Sequence, residues 1–447
     1  MGKLFGTDGI RGIANLELTP SLAYKVGRAA GYVLAKDRQG TVLVGQDTRR
    51  SGELLKAALV SGLMSIGLNV ETVGVIPTPG VAYLTRTQDY LAGVVISASH
   101  NPFEHNGIKF FSHDGFKLPD EVEDQIESYI FDDTKIYKNA THEDVGTMVY
   151  RPELVGDYER YLTSLVDVDL SGKTIAIDVG NGALYNIADK VLSALGATVY
   201  AINDTPDGTN INRNCGSTNP ELIQQLVKDK GAFMGMSFDG DADRIIAVDE
   251  TGEVIDGDHI LAICAMSLKQ EGKLKNNTAV GTIMSNIGLK RFLDECGINL
   301  VQTKVGDRYI LEEMRAHDYI MGAEQSGHVV FLDYNTTGDG LATGLHLLEI
   351  ASRSGKTLSE LNQLMTSYPQ VLENAHVRPD LKHNYMDFPQ IKERIEAIEA
   401  EFNGTGRVVI RPSGTEPMVR VMIEGEDETL LTQRARELKE LIETTLN

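Results

Sequence analysis

A chain of 447 residues, 42% of them apolar and 44 of them glycine, exceeds what one core supports and implies two to four globular domains rich in tight turns. Its formal charge of −22 argues against nucleic acid and anionic membranes as partners, so an anion site must be built locally from a few cations. No apolar run approaches the roughly 18 residues of a membrane span, and the opening Met1 to Gly6 lacks the apolar stretch of a signal peptide.

Gly6 also stands where a myristoylation motif after Gly2 wants Ser or Thr. Cys215, Cys264 and Cys296 are far apart, without metal-like spacing, as expected in a reducing cytoplasm. The first motif, Phe5-Gly6-Thr7-Asp8-Gly9-Ile10-Arg11-Gly12, has glycines that let backbone approach a ligand and an arginine to meet an anion. An ordinary glycine turn has the same appearance.

A strand over 41–45, an amphipathic helix over 54–64, Gly67 and an apolar run over 68–75 form a strand–helix–strand unit. The apolar run over 91–96 reads as a buried strand. Asn101-Pro102 stops the chain there, because the residue before proline is pushed out of helical geometry and Asn favours turns. Ser97-Ala98-Ser99-His100 therefore lies at the carboxyl end of a strand, where open α/β sheets place ligands. Its small residues leave the Ser99 hydroxyl open to a bulky group; a plain turn is the alternative.

The unit recurs twice. A strand over 174–178 leads to a helix ending near Gly196 and a strand over 197–200; a strand over 278–282 leads to a helix ending at Cys296-Gly297 and a strand over 298–301. Strands alternating with helices imply parallel pairing and right-handed crossovers. The last stretch differs, with a charged helix over 388–402, strands over 407–411 and 419–424, and a helix to Leu446. The expected architecture is three related α/β domains with mixed, mostly parallel sheets (1–150, 151–252, 253–368) and a smaller C-terminal α+β domain (369–447).

Phe238-Asp239-Gly240-Asp241-Ala242-Asp243-Arg244 sets three carboxylates at alternate positions, a loop whose repulsion calls for a cation, and hard oxygens suit Mg2+ or Ca2+. An EF-hand matches at Asp239, Asp241, Asp243 and Glu250 but fails at Arg244, where its turn needs glycine, and the flanks read as strands. A solvated acidic turn would need no ion. A Mg2+ loop leaves coordination positions open beside a phosphate.

Ala323-Glu324-Gln325-Ser326-Gly327-His328, between apolar strands over 319–321 and 329–332, offers a carboxylate, a hydroxyl and an imidazole to vicinal sugar hydroxyls, although a single histidine is more often structural. Arg411-Pro412-Ser413-Gly414-Thr415-Glu416-Pro417, with Arg420 beyond it, joins backbone and hydroxyl donors to two guanidinium groups, a combination suited to phosphate. It lacks the Lys-Ser or Lys-Thr of a nucleotide P-loop. A serine, a magnesium loop, a sugar loop and a phosphate loop together describe phosphoryl transfer through a phosphoserine ester beside Mg2+.

These five motifs, in this order, resemble the α-D-phosphohexomutase superfamily along essentially the whole chain: FGTDGIRG, SASHNP with NGIKFF, DGDADR, EQSGH, and RPSGTEP with RVMIEG. Their wording is most similar to bacterial members acting on glucosamine phosphates. The resemblance implies a cytoplasmic isomerase, monomeric or homodimeric, that interconverts glucosamine 6-phosphate and glucosamine 1-phosphate and feeds UDP-N-acetylglucosamine synthesis. Glucosamine 1,6-bisphosphate would be the intermediate and primer. It implies that Ser99, not Ser97, carries the phosphoryl group, with Asp239, Asp241, Asp243 and Ser99 holding one Mg2+. Arg11 and Lys109 would stabilise the transferring group, with His328 a candidate acid or base. Arg244, Glu324 and Ser326 would bind the sugar, and Arg411, Ser413, Gly414, Thr415 and Arg420 the other phosphate. Ala323 replaces a common glycine and His105 a common acidic residue, both at the edge of the pocket. A phosphoglucomutase or phosphomannomutase is the alternative within the superfamily. A non-catalytic sugar-phosphate sensor is the alternative outside it, and an intact Ser99 with all three aspartates speaks against that.

Overall fold

In the computed structural model, which describes residues 4–6, 8–36, 39–132, 139–413 and 416–447, one strand order is used three times. The first domain carries β1 (Phe5–Gly6), β2 (Gly9–Ile13), β3 (Thr41–Gln46), β4 (Asn69–Val75), β5 (Ala92–Ile96), β6 (His105–Ser112) and β7 (Met148–Tyr150), ordered β1-β2-β6-β5-β3-β4-β7. The second carries β8 (Thr174–Asp178), β9 (Thr198–Ile202), β10 (Met234–Phe238), β11 (Ile245–Val248) and β12 (Val254–Ile255), ordered β12-β11-β10-β8-β9. The third carries β13 (Thr278–Thr282), β14 (Asn299–Thr303), β15 (Met321–Ala323) and β16 (Val329–Phe331), ordered β14-β13-β15-β16.

The common unit is β4-β3-β5-β6, β9-β8-β10-β11 and β14-β13-β15-β16. A central strand pairs in parallel on both sides, and the last strand folds back antiparallel. Reversal of strand order about the central strand opens a crevice at the carboxyl ends. The motifs of Ser99, Asp239 and Glu324 all occupy the same turn, between the third and fourth strands of their unit. This is the structural meaning of the repeat.

Parallel pairings are three of six in the first sheet, two of four in the second and two of three in the third, so the sheets are mixed. Part of the antiparallel share comes from the opening motif. Rather than a free glycine turn it is the hairpin β1–β2, which pairs Arg11 with Gly107 of β6.

β3 and β5 are buried on both faces, as strands between helical layers must be. Val42, Val44, Val94 and Ile96 enter one core of the first domain. Leu43 and Val95, one residue out of phase, enter another that continues through Ile177, Met236, Leu289 and Leu345 into the second and third domains. Among the described residues no helix is long and apolar enough to cross a membrane.

The last domain is a sheet of β17 (Gln370–His376), β18 (Arg407–Pro412) and β19 (Met418–Glu424), ordered β17-β19-β18 and antiparallel throughout. The helices Pro389–Phe402 and Glu428–Leu446 close a separate core over Val419, Val421 and Ile423. Its junction with the third domain includes a set of polar bonds. Glu424, fully buried, accepts from Ile287 N (2.9 Å), Gln370 Nε2 (2.9 Å) and Arg407 Nε (2.7 Å). Arg407 also donates to Ser285 O, and Asn286 Nδ2 to Tyr368 O at 2.9 Å. Glu424→Ala leaves Ile287 N, Gln370 Nε2 and Arg407 Nε without their acceptor and should cost the attached state roughly 3 kcal/mol. Denaturant unfolding should show the last domain leaving first, with faster proteolysis near residue 369. An unchanged unfolding midpoint contradicts the latch.

Candidate active site

β5 ends at Ile96, and the chain then turns so sharply that Ser99 takes φ of 51°, a left-handed conformation that costs a non-glycine residue about 1 kcal/mol or more. The turn is held from within. Ser97 Oγ accepts the Ser99 N–H at 3.0 Å and donates to the buried Asp47 Oδ2 at 2.7 Å. The expectation of an open serine is corrected here: Ser99 is 1% exposed. The aspartate loop of the second domain closes over it, and Asp239 Oδ2 accepts its hydroxyl at 2.6 Å.

Gly240 lets the two loops meet, since a Cβ there would lie 2.7 Å from Ser99 O. Ala242 shares the left-handed conformation, with φ of 56°. Asp239, Asp241 and Asp243 are all buried, with carboxylate oxygens within 4.8 Å of one another. Asp241 sits at the start of the helix Thr78–Thr87, accepting the Thr78 hydroxyl at 2.6 Å while its carbonyl takes the Thr78 N–H at 3.0 Å. Lys109 Nζ lies 2.8 Å from Asp241, 2.8 Å from Asp8 and 3.4 Å from Asp243. Burial works against the Lys109 charge, but Asp241, Asp8 and Asp243 outweigh it and hold the pKa well above the ordinary value.

One lysine does not balance the group. Burial, then Asp243 and Asp241, push the Asp239 carboxyl well above the usual carboxylate range. Asp241 Oδ1 and Asp243 Oδ1 are buried with no hydrogen-bond partner among the described residues. Orphaned hard oxygens converging beside a serine oxygen fit a divalent cation such as Mg2+.

Arg11 pairs with Asp8, and its Nη1 lies 3.4 Å from Asn101 Oδ1. Lys117 bridges Asp8 and Asp307, joining the first and third domains. Arg244 donates its N–H to Asp239 Oδ1 (3.2 Å), and its Nη1 lies 3.3 Å from His100 Nδ1. Burial, then Arg244 and Arg11, lower the His100 pKa to about 4, so that ring is neutral. His328 is 2% exposed; its Nε2 accepts the Gly338 N–H at 3.1 Å and its Nδ1 lies 3.7 Å from Asp243 Oδ1. At 3.7 Å the Asp243 contact is an ion-pair distance, longer than a hydrogen bond, and it leaves Nδ1 without a hydrogen-bonded acceptor there.

Glu324 accepts the Gly306 N–H at 3.0 Å, and Ser326 is exposed. Gly327, with φ of 90°, lets this loop lie against β11, where a Cβ would stand 1.9 Å from Ile245 O. On the last domain Arg411 and Arg420 stand directly opposite across β18 and β19. Like charges so placed repel, and burial and then Arg420 lower the Arg411 pKa, which the field of Glu324 partly opposes. Such a pair calls for an anion. Ser413 is nearly buried, its Oγ accepting the Glu416 N–H at 3.2 Å and its carbonyl the Lys382 ammonium at 2.8 Å. Gly414 and Thr415 lie outside the described residues.

Four profiles of one family match consecutive parts of the chain. They are phosphoglucomutase/phosphomannomutase alpha/beta/alpha domain I over residues 2–137, domain II over 157–252, domain III over 256–368 and the C-terminal domain over 373–441. The chain is 57% identical to the phosphoglucosamine mutase of Alkaliphilus oremlandii (strain OhILAs) over 449 residues, 100% of both chains. The chain belongs to the phosphoglucomutase/phosphomannomutase family. It is also 52% identical over 448 residues to the phosphoglucosamine mutase of Clostridioides difficile (strain 630), again covering 100% of each. A family protein from Burkholderia thailandensis superposes with a TM-score of 0.82 at 25% identity, covering 100% of this chain and 98% of the other. The fold extends to the Aspergillus fumigatus N-acetylphosphoglucosamine mutase solved with GlcNAc-6P and magnesium, with a TM-score of 0.68, 17% identity and 99% and 96% coverage.

Within this family member the residues invisible in sequence are those that serve others. Asp8 was in view inside FGTDGIRG, but its pairing with Lys109 and Lys117 was not, and Lys117, Asp307, Thr78 and Asp47 belong to no motif. Asp239 is the triad member whose charge the fold opposes most plainly. Asp239→Asn should therefore leave the metal-free melting temperature level or higher while abolishing the rise that Mg2+ gives the wild type. Thermal shift in EDTA and in Mg2+ reads both; a variant still stabilised by Mg2+ contradicts the assignment.

Proposed function

We propose that this chain is a phosphoglucosamine mutase, interconverting glucosamine 6-phosphate and glucosamine 1-phosphate in the cytoplasm, as a monomer or homodimer, with domain boundaries near residues 150, 252 and 368. The observation that carries the chemistry is the Ser99 hydroxyl 2.6 Å from a buried carboxylate triad braced by Lys109. The choice of sugar rests on full-length identity to phosphoglucosamine mutases.

Ser99 would carry the phosphoryl group. Its P–Oγ bond breaks as a sugar hydroxyl oxygen bonds to phosphorus; the hydroxyl gives up a proton and Oγ gains one, so the transfer is proton-neutral. The second half returns the other phosphoryl group of the 1,6-bisphosphate to Ser99. Asp239, Asp241, Asp243 and Ser99 would hold one Mg2+, which when bound neutralises charge on the group in transfer. Lys109 and Arg11 add fixed positive charge at the same place. His328, beside Asp243 in the same site, would be the candidate acid or base. Glu324, Ser326 and Arg244 would hold the sugar. Arg411, Ser413, Gly414, Thr415 and Arg420 would hold the phosphate not in transfer.

Ser99→Ala should abolish turnover without loss of fold, since one hydroxyl is removed and no core volume. Intact-mass measurement should find one phosphate on active wild type and none on the variant; near-normal turnover of the variant contradicts the covalent route. Coupled assays on glucosamine, glucose, mannose and N-acetylglucosamine phosphates should rank glucosamine first, and a clear preference for another sugar overturns that part of the reading.

Arg420→Ala removes one of the facing guanidinium groups and should cost about 1.5–3 kcal/mol in transition-state binding, roughly ten- to a hundredfold in kcat/KM. Because either end of the sugar must use this grip in turn, the loss should be similar from the 1-phosphate and the 6-phosphate. A loss in one direction alone would show that the loop reads one end only.

A further inference from the structure

The serine loop is gripped by two side chains that neither bind substrate nor hold metal in the reading above. Arg49 is buried, with a side chain fully shielded from solvent, and its charge is paired with Asp47 (Nε to Oδ2, 2.8 Å). The rest of its fork goes to main-chain carbonyls of the loop. It donates to Ser99 O at 2.9 Å, Asn101 O at 2.8 Å and His105 O at 3.1 Å, and also to Pro102 O. Asn212, from the second domain, donates to two of the same carbonyls, Ser99 O at 2.8 Å and Asn101 O at 3.1 Å. Its own backbone is left-handed, with φ of 57°, and is tied to Gly180 O through its N–H at 2.9 Å.

Ser99 O and Asn101 O thus each receive two donors, one from each domain. Pinning the Ser99 carbonyl fixes the peptide plane beyond Ser99, and with φ already set this fixes the direction of the Cα–Cβ bond, leaving one torsion for the Asp239 hydrogen bond to set. Asn212 also stands at the seam with the metal loop, since a Cβ on Gly240 would lie 2.9 Å from its Nδ2. One amide therefore relates the serine to the aspartates. We infer that Asn212 and Arg49 are positioning residues for phosphoryl transfer, acting through the Ser99 backbone to aim its oxygen. This rests on Ser99 as the phosphoryl carrier, and it assigns the aim to residues outside every motif.

The test uses the full chain with Ser99 loaded from glucose 1,6-bisphosphate. Asn212→Gly keeps the left-handed backbone and deletes the amide; Asn212→Asp keeps the shape and turns a donor into an acceptor. Misplacement by a fraction of an ångström should slow single-turnover transfer to glucosamine 1-phosphate and 6-phosphate alike, by about ten- to a hundredfold. Phosphate occupancy of Ser99, by intact mass, should stay complete, and KM should move by less than about twofold, because among the described residues neither side chain bonds to the sugar or phosphate loops. Arg49→Lys keeps a charge beside Asp47 but loses the fork; it should give the same split and decides the matter if Asn212→Gly does not fold. A loaded Asn212→Gly enzyme that transfers at the wild-type rate overturns the inference. So does a loss confined to KM. A wild type that takes up no phosphate instead removes the Ser99 reading, and is told apart by the mass measurement alone.

Discussion

Everything in the cleft depends on a charge imbalance that the fold buries and does not resolve. Asp8, Asp241 and Asp243 converge on Lys109 and Asp239 lies against the last two, with Arg11 pairing Asp8 and His328 beside Asp243. Burying unpaired carboxylates is costly, and a protein ordinarily protonates or removes them. Here they are kept, with two oxygens left unpartnered and one carboxyl pushed far up. That pattern makes sense for a site completed by a cation and by a phosphoryl group whose charge rises and falls during transfer.

The repeated strand order explains how one cleft draws on several domains. In each α/β unit the functional loop is the hairpin turn at the carboxyl end, so three copies of one design present three chemistries at one place. The loops are short and rest on neighbours across the seam: Thr78 of the first domain on Asp241, Gly340 of the third on Ala242, Asn212 of the second on Ser99. Lys117 links Asp8 to Asp307 in the same way. Rigidity of the transfer site therefore belongs to the packing of three domains around a shared core.

Much of this was legible before any coordinates. The three-fold unit, the small last domain and the five motifs follow from apolar runs, glycine punctuation and residue chemistry, and Thr278–Thr282 falls where the apolar pattern puts a strand. What sequence could not show is distance. The bond from Ser99 to Asp239 spans 140 positions, that from Lys109 to Asp241 spans 132, and that from Asn212 to Ser99 spans 113. Ser99 looked open because its covering loop is remote in the chain. FGTDGIRG looked like a turn because its pairing partner, β6, begins about ninety residues later. The bond of the Gly338 N–H to His328 Nε2 and the nearness of Asp243 to its other nitrogen were hidden in the same way.

The contrast between the two ends of the cleft is itself a physical argument about the reaction. Ser99 and Ala242, non-glycine residues in left-handed backbone on the two loops that meet at Asp239, carry strain that only a rigid surround can hold. The surround supplies it through paired carbonyls, buried ions and continuous apolar packing. The phosphate-gripping arginines instead sit on a domain with its own core, joined to the third domain through Glu424, Arg407 and Asn286. Polar joints exchange partners with water at a small net cost, whereas a shared apolar core does not. A reaction that moves a phosphoryl group onto one end of a sugar and takes it from the other needs both properties. The transfer atoms must stay aimed, and the distant grip must be able to release and take hold again.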